Sequence, residues 1–461
     1  MEIETWLKDN RQSVEEKANL LSGQRTLLLS AERYEDAVAS CDKALELNPD
    51  DDVAYFFQGN ALYYLGRYDD AIASYDKALE FKQDDHEAWY NRGVALGNLG
   101  RYSEAIASLD KALEIKPDDH EAWYNRGVAL GNLGRYSEAI ASYDKALEFK
   151  QDDHEAWNNR GVALDDLGRY SEAIASFDKA LEFRPDDHKA WYNRGVALGN
   201  LGRYKEAIAS LDKALEFKPD DHEAWNNRGI ALGNLGRYKE AIASYDKALE
   251  IKPDKHEAWN NRGNALGNLG RYKEAIASYD KALEIKPDKH EVWNNRGIAL
   301  KNLGRYEDAI ASYDKALEIK PNDHVAWNNR GIALGNLGRY EEAIASYDKA
   351  LEIKPNDHVA WSNRGIALGN LGRYSEAIAS YDKALEIKPD DHVAWSNRGN
   401  ALDDLGRYEE AIASMQKAQE FKPDLTKKLF ENAAKAFLGK LSNLKIVQMS
   451  KAILRWISFR R

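Results

Sequence analysis

Cysteine and long apolar runs are scarce in this chain of 461 residues. Its single cysteine, Cys41, cannot form an internal disulfide, so we expect a reducing compartment and a cytoplasmic protein. No stretch reaches the roughly 18 apolar residues of a membrane-spanning helix. Residues 1–17 are charged throughout and contain no apolar run, so we expect no secretory signal peptide there.

Basic residues are too few over most of the chain for a nucleic-acid-binding surface. The formal net charge is −12. Residues 426–461 carry nine Lys or Arg and one Glu, so residues 1–425 carry −20. Because binding to a phosphate backbone needs a basic stripe, we expect no nucleic-acid partner. An acidic body suits a basic protein partner instead.

Motifs for catalysis and metal binding are also missing. The chain has no Walker loop, no Gly-x-Gly-x-x-Gly after a strand and no His-x-x-x-His. Its ten histidines stand 34 residues apart. Packed helices lie about 8–10 Å apart, whereas zinc ligands must lie about 2 Å from one ion. We therefore expect neither an enzyme, nor a metal site, nor a cofactor, and we interpret the histidines as solvated residues at helix starts.

What the chain does contain is a strict 34-residue period. Ten tryptophans follow it from Trp89 to Trp395, the ten histidines keep the same interval, and the ten prolines from Pro49 to Pro423 are spaced by 34 residues or twice that number. A fixed period of this length is typical of a solenoid, in which similar units stack on one another. Strong units begin at residue 86 and every 34 residues thereafter, and weaker units begin at residues 18 and 52.

Each unit has the pattern of two helices separated by a glycine. In residues 86–119, the apolar residues of the second half recur at helical spacing, and those of the first half are compatible with it. Gly100 suits the C-terminal cap of the first helix, and Pro117 closes the second. Asp119 is a candidate N-cap for the next unit. The sequence therefore predicts one antiparallel helical hairpin per unit.

These units resemble the tetratricopeptide repeat, and their amino-acid sequence is similar to that of multi-repeat cyanobacterial-type members of the family. The large and small packing positions of the family are occupied, in the first strong unit, by Trp89, Gly93, Leu96, Ala105, Leu109, Ala112 and Pro117. The resemblance implies an all-α, right-handed superhelical solenoid. We predict a capping helix in residues 1–17, twelve repeats in 18–425, and a degenerate thirteenth hairpin in 426–461 that caps the stack.

One repeated residue departs from the family pattern. Arg92 stands where the family usually has Leu, and Arg recurs there in all ten strong units. We interpret it as forming a salt bridge or hydrogen bond between units, with the Asp of the Tyr-Asp-Lys stretch as its candidate partner.

An asparagine ladder is the candidate binding site. By resemblance, the first helix of each hairpin lines a concave groove, and the sixth residue of each strong unit is Asn. A side-chain amide has two donors and one acceptor oxygen, so it can pair with a peptide backbone of any sequence. The alternative is that duplication multiplied an Asn that holds a loop or a neighbouring helix. The ladder consists of Asn91, Asn125, Asn159, Asn193, Asn227, Asn261, Asn295, Asn329, Asn363 and Asn397.

The groove positions are not uniform along the chain. The twelfth and thirteenth residues are usually Gly-Asn, but two units carry Asp165-Asp166 and Asp403-Asp404. Besides the repeated arginines, only Lys189 and Lys301 place a cation in the groove. These are too few for the carboxylate clamp by which chaperone-binding members of the family hold an acidic C-terminus.

The pattern as a whole predicts a non-catalytic scaffold that binds an extended peptide or protein segment. Residues 445–461 interleave apolar with basic residues. This tail has three possible roles: it seals the stack, binds a partner or a second copy, or lies on an anionic membrane as a peripheral anchor. The alternative functions are an assembly factor docked on a membrane by this tail and a recognition subunit of an enzyme complex.

Overall fold

The computed structural model describes residue 21 and residues 24–421, which are helical apart from short turns. Residues 24–30 form a helical segment ahead of the first helix with defined bounds.

The chain divides into two compact units, residues 1–251 and residues 252–461. The first unit contains α1 (Tyr34–Leu47), α2 (Asp52–Tyr64), α3 (Tyr68–Phe81), α4 (His86–Asn98), α5 (Tyr102–Ile115), α6 (His120–Asn132), α7 (Tyr136–Phe149), α8 (His154–Asp166), α9 (Tyr170–Phe183), α10 (His188–Asn200), α11 (Tyr204–Phe217), α12 (His222–Asn234) and α13 (Tyr238–Ile251). The second contains α14 (His256–Asn268), α15 (Tyr272–Ile285), α16 (His290–Asn302), α17 (Tyr306–Ile319), α18 (His324–Asn336), α19 (Tyr340–Ile353), α20 (His358–Asn370), α21 (Tyr374–Ile387), α22 (His392–Asp404) and α23 (Tyr408–Phe421).

Even-numbered helices are the first helices of the hairpins, and the odd-numbered helix that follows each one is its partner. The expected all-α series of helical hairpins is confirmed. Twelve repeats and two caps remain a prediction, since residues 1–17 and 426–461 lie outside the described part of the chain.

Local signals in the sequence define the helix ends. The Asp119 carboxylate accepts hydrogen bonds from the backbone N–H groups of Glu121 and Ala122, which confirms it as the N-cap of α6. Gly100 has a φ of 75°, a left-handed conformation that favours glycine. Beside it, the Arg101 N–H donates to the Leu96 carbonyl at 2.9 Å, so α4 ends in a Schellman motif. These caps explain why each hairpin turns at the same place.

Small residues let the two helices of a hairpin approach closely. A Cβ added at Gly93 would lie 2.8 Å from Cγ of Leu109 on the partner helix. In the next hairpin, a Cβ at Gly127 would lie 2.6 Å from Cε1 of Tyr143. Interiors are close-packed, so this position has no room for a methyl group. The packing role expected for Gly93 and its equivalents is confirmed.

Apolar contacts also join one hairpin to the next within each unit. Leu109 and Leu113 of α5 form a buried cluster with Ala122 of α6, and Trp123 packs against it. The Trp123 Nε1–H donates to the Pro117 carbonyl at 2.9 Å, so the indole also fixes the turn between the two hairpins. Trp89 and Trp157 donate in the same way to the carbonyls of Gln83 and Gln151, so the bond depends on the backbone of the turn and recurs with the tryptophan.

The repeated arginine links three helices. The Arg126 Nε–H donates to Oδ1 of Asp110 in the preceding hairpin at 2.6 Å, and an Nη1–H donates to Oγ of Ser142 in its own hairpin at 2.6 Å. Its guanidinium lies 5.7 Å from the ring centroid of Trp123, within cation–π range. Arg330 makes the same three contacts in the second unit. The predicted bridge to the Asp of the Tyr-Asp-Lys stretch is confirmed in position, although in this hairpin the stretch reads Leu-Asp-Lys.

Candidate functional site

The asparagine ladder lies on the first helices, at the sixth residue of each hairpin. All ten side chains are half-buried. The second, sixth, ninth and thirteenth residues share one face of a helix, because neighbours on a helical surface are three or four residues apart. In α20 this face presents Val359, Ile366 and Asn370, all of them exposed. The ladder therefore runs along an exposed face of the first helices within each unit.

Most rungs of the ladder donate a hydrogen bond to the preceding hairpin. In the first unit the Asn125 Nδ2–H donates to the Tyr90 hydroxyl at 3.0 Å, and Asn193 donates to Oδ1 of Asn158 at 3.0 Å. In the second unit the Asn329 amide donates to Oδ1 of Asn294 at 3.1 Å. The acceptor is usually the fifth residue of the preceding hairpin. Asn91, Asn159, Asn227, Asn295 and Asn363 form bonds of the same kind.

In a rung such as Asn329, this inter-hairpin bond uses only part of the amide. An Asn side chain has two N–H groups and an oxygen with two lone pairs. In Asn329 one N–H donates to the preceding hairpin. The second N–H and the acceptor oxygen of this half-buried side chain are not part of that bond. The alternative interpretation, in which the Asn holds a neighbouring helix, therefore accounts for one N–H of the amide. The other N–H and the oxygen can still form hydrogen bonds.

The fifth residues complete a short hydrogen-bonded chain in the first unit. The Tyr90 hydroxyl accepts from Asn125 and donates to Oε2 of Glu121 at 3.3 Å. Burial, aided by the charge of Glu155, raises the pKa of Tyr124 to about 12, so its phenol is neutral at physiological pH. Our sequence reasoning did not foresee this role. The usable signal was that Tyr, Asn or Ser, each with a side-chain oxygen, holds this position in every strong unit.

The acidic pair in α8 changes the groove locally. Oδ1 of Asp165 is buried and has no hydrogen-bond partner. Burial raises the pKa of Asp165; hydrogen bonding to Asn200 opposes this shift and the charge of Asp166 adds to it. Asp166 itself is exposed and lines a pocket of about 270 Å³ between α6 and α8. The sequence singled out the pair, but only the structure shows the cavity beside it.

In the second unit, Lys301 places a positive charge at the twelfth residue of its hairpin, the position that Asp165 occupies in α8. Lys301 is half-buried, and burial lowers the pKa of its ammonium group. Tyr313, on the partner helix α17, is fully buried, and its hydroxyl has no hydrogen-bond partner. The equivalent Tyr347 and Tyr381, whose hairpins have Gly at the position of Lys301, keep 4% and 3% of their surface exposed. The phenol is thus slightly more buried in the hairpin that carries Lys301 than in these two hairpins with Gly at that position.

The repeated histidines begin the first helices, as expected, but they are not fully solvated. Only 17% of the His290 side chain is exposed. Its Nε2 lies 3.2 Å from Nζ of Lys320 and 3.9 Å from Oδ2 of Asp323. The expectation of a fully solvated ring was wrong for His290, because its ring packs against residues of the turn that joins its hairpin to the next. No group of three potential metal ligands occurs in residues 24–421.

The helices of the described residues are short compared with a membrane span. Each helix with defined bounds in residues 24–421 has 13 or 14 residues, and none of them is both long and apolar enough to span a bilayer. The basic tail in residues 445–461 lies outside the described residues.

Comparison with known proteins identifies the repeat. A family model described as tetratricopeptide repeat matches residues 26–88, 56–120, 90–154, 124–188, 158–222 and 192–256. A second model with the same description matches residues 256–289, 290–323, 324–357, 358–391 and 392–425. These five windows have the boundaries that the histidine period predicts. No curated protein matches the chain.

Several solved structures are similar. The protein YrrB, described as a tetratricopeptide repeat protein with an unusual peptide-binding site, is 30% identical; the match covers 40% of this chain and 95% of YrrB, with a TM-score of 0.37. A tetratricopeptide repeat protein from Parabacteroides merdae is 21% identical over 55% of this chain and 99% of its own, with a TM-score of 0.43. Yeast Tom70 is 18% identical over 95% and 99%, with a TM-score of 0.41.

Proposed function

Because the chain belongs to the tetratricopeptide repeat family, we propose that it is a non-catalytic scaffold that binds an extended polypeptide segment along its asparagine ladder. Protein–protein interaction is the coarse function that the repeats support. The finer assignment is that the bound segment is extended and is recognised through its backbone.

The observation that carries the proposal is the part of the amide that rungs such as Asn329 and Asn363 do not use between hairpins. After donating to the preceding hairpin, a rung such as Asn329 keeps one N–H and its Oδ1. A peptide backbone offers the complementary carbonyl and N–H. Hairpins repeat at about 10 Å and an extended chain advances about 3.3 Å per residue. Each rung therefore meets about every third residue, at which the same two backbone groups recur.

Recognition through the backbone does not depend on the side chains of the ligand. Asn is neutral, so the rungs neither attract nor repel charged residues. Each hydrogen bond contributes only about 1 kcal/mol net, so binding depends on several rungs together. We expect moderate affinity for many sequences, summed over the length of the bound segment.

The test uses two matched pairs of substitutions in the second unit. Asn329→Ala with Asn363→Ala removes two rungs, whereas Asn294→Ala with Asn328→Ala removes the acceptors to which those rungs donate. Both pairs break the same two inter-hairpin bonds, so both should lower the free energy of unfolding similarly, by about 2 kcal/mol. Only the first pair removes the groups assigned to the ligand.

Binding of a random-sequence peptide pool is measured by fluorescence anisotropy. We expect the rung variant to lose about 2 kcal/mol of binding free energy relative to the acceptor variant. Equal binding by both variants, with equal loss of stability, would show that the amides act only between hairpins and would overturn the proposal.

A further inference from the structure

The pocket beside the acidic pair is a defined gap between two neighbouring hairpins. Val128 of α6 and Val162 of α8 contribute apolar walls, Tyr143 of α7 lines it, and Asp166 supplies a carboxylate. A Cβ at Gly131, which also lines the gap, would meet nothing within 4 Å. At about 270 Å³ the pocket is smaller than the roughly 300–1,000 Å³ of sites for whole small molecules. Its size suits one long side chain.

Residues at the twelfth and thirteenth positions face each other across such a gap. Near the start of the chain, Nδ2 of Asn98, a thirteenth residue, donates to the hydroxyl of Tyr63, the twelfth residue of the preceding hairpin, at 3.0 Å. In the pocket, the corresponding residues are Asp166 and Gly131. Gly131 has no side chain, so nothing at this position pairs with the Asp166 carboxylate.

The charge and the walls together define the occupant. Asp166 is exposed, lines the pocket and stands next to Asp165, whose Oδ1 is buried without a partner. Apolar walls ending at a carboxylate complement a long aliphatic stem with a terminal cation, which is the chemistry of lysine and arginine. The thirteenth residue is Asn in eight of the ten strong units, so most gaps lack this charge.

The chain itself shows that such a gap accepts a lysine side chain. Lys301 occupies, in its own hairpin, the position of Gly131, and its side chain is half-buried. Tyr313, on the partner helix of Lys301, is 0% exposed, whereas the equivalent Tyr143 is 4% exposed beneath the open pocket, so a lysine at this position accompanies fuller burial of the phenol. A cationic side chain supplied by a ligand would cover Tyr143 and would gain a carboxylate that Lys301 does not have at Asn336.

We propose that the pocket lined by Tyr143 and Asp166 receives a lysine or arginine side chain of the polypeptide bound along the asparagine ladder. This inference rests on the proposed function. The ladder is indifferent to sequence, so the charged pocket at Asp166 sets which residue of the ligand lies at α8. The scaffold then selects extended segments with a basic residue, in agreement with the −20 charge of residues 1–425.

The test compares random-sequence peptide pools that differ at one fixed residue, which is Lys, Arg or norleucine. Norleucine keeps the apolar stem and lacks the charge. We expect the wild-type protein to bind the Lys and Arg pools about fivefold more tightly than the norleucine pool, the size of a favourable ion pair. The ratio between the Lys and Arg pools distinguishes the two residues as sources of the cation.

Four variants locate the preference. Asp166→Asn removes the carboxylate, and Gly131→Lys fills the pocket with a lysine from the chain itself, as Lys301 does. Each should bring the preference close to one. Asp152→Asn removes one exposed charge in the turn that precedes α8, and Gly97→Lys adds a lysine where the facing residue is Asn132. Both controls should keep the fivefold ratio.

The outcomes separate this inference from the proposed function. Binding of all pools without a preference for the cationic ones, or a preference that survives in both Asp166→Asn and Gly131→Lys, would overturn the pocket and leave the ladder standing. No binding of any pool would overturn the ladder and the pocket together. Circular dichroism of each variant confirms that the helices are intact, and Asp166→Asn, at an exposed position, keeps the test decisive should Gly131→Lys not fold.

Discussion

Two glycines in α12 should respond in opposite directions to replacement by alanine. Gly229 and Gly233 lie four residues apart in one helix and share its backbone geometry. A Cβ at Gly233 would meet no atom within 4 Å. A Cβ at Gly229 would lie 2.5 Å from Cε1 and 2.8 Å from Cδ1 of Tyr245 on α13. The pair therefore isolates packing from helix propensity.

The magnitudes follow from these distances. Ala is favoured over Gly within a helix by about 1 kcal/mol, so Gly233→Ala should stabilise the hairpin by about that amount. Gly229→Ala gains the same term but forces the Tyr245 ring, which is only 4% exposed, to move within a filled interior. Overpacking of this kind costs about 1–3 kcal/mol. We expect a net loss of about 1 kcal/mol, and hence a difference of about 2 kcal/mol between the two variants.

Local stability is the quantity to measure, because long repeat arrays do not unfold in a single two-state step. Amide hydrogen exchange followed by mass spectrometry reports the opening free energy of residues 222–251 directly. Repeating Gly229→Ala in a Tyr245→Ala background completes a double-mutant cycle. Without the ring, the added methyl group should be neutral or stabilising.

Two results would refute this reasoning. If both glycine variants shift the opening free energy in the same direction, the close approach of the helices does not determine the identity of that residue. If the effect of Gly229→Ala is unchanged when Tyr245 is removed, the ring is not what excludes the methyl group.

Two further predictions concern buried ionisable groups. Burial raises the pKa of the Cys41 thiol to about 12, so an aromatic disulfide reagent at mildly alkaline pH should label it only as fast as α1 opens; labelling at the rate of a denatured control would contradict this. The raised pKa of Asp165 means that its protonated form stabilises the fold fully below the unfolded value of about 3.9, and that this stability is lost as pH rises through the folded pKa. Asp165→Asn should therefore match the wild type in acid and exceed its melting temperature at neutral pH, and an equal difference at both pH values would contradict the burial of the charge.

The hairpins and their linkage could be predicted from the sequence. Gly100 and Asp119 act through hydrogen bonds to residues within a few positions, so local pattern is sufficient to place the helix ends. The Arg92 bridge to Asp76 spans 16 residues, but the period fixes which faces of neighbouring helices meet. Where all units are alike, a repeated cation and a repeated anion on facing surfaces of neighbouring hairpins can be predicted to pair.

The sequence by itself determined the repeat, the hairpin and the charge of the groove, because these depend on period and on short-range hydrogen bonding. Only the tertiary structure decided which group of the preceding hairpin accepts the hydrogen bond that a ladder amide donates. The acceptor for Asn125 is Tyr90, 35 residues earlier, and that contact depends on how closely two first helices approach. The approach of α6 and α8 likewise leaves a pocket at Asp166 and buries Oδ1 of Asp165. The size of such a gap follows from the side chains that meet there and not from their spacing along the chain.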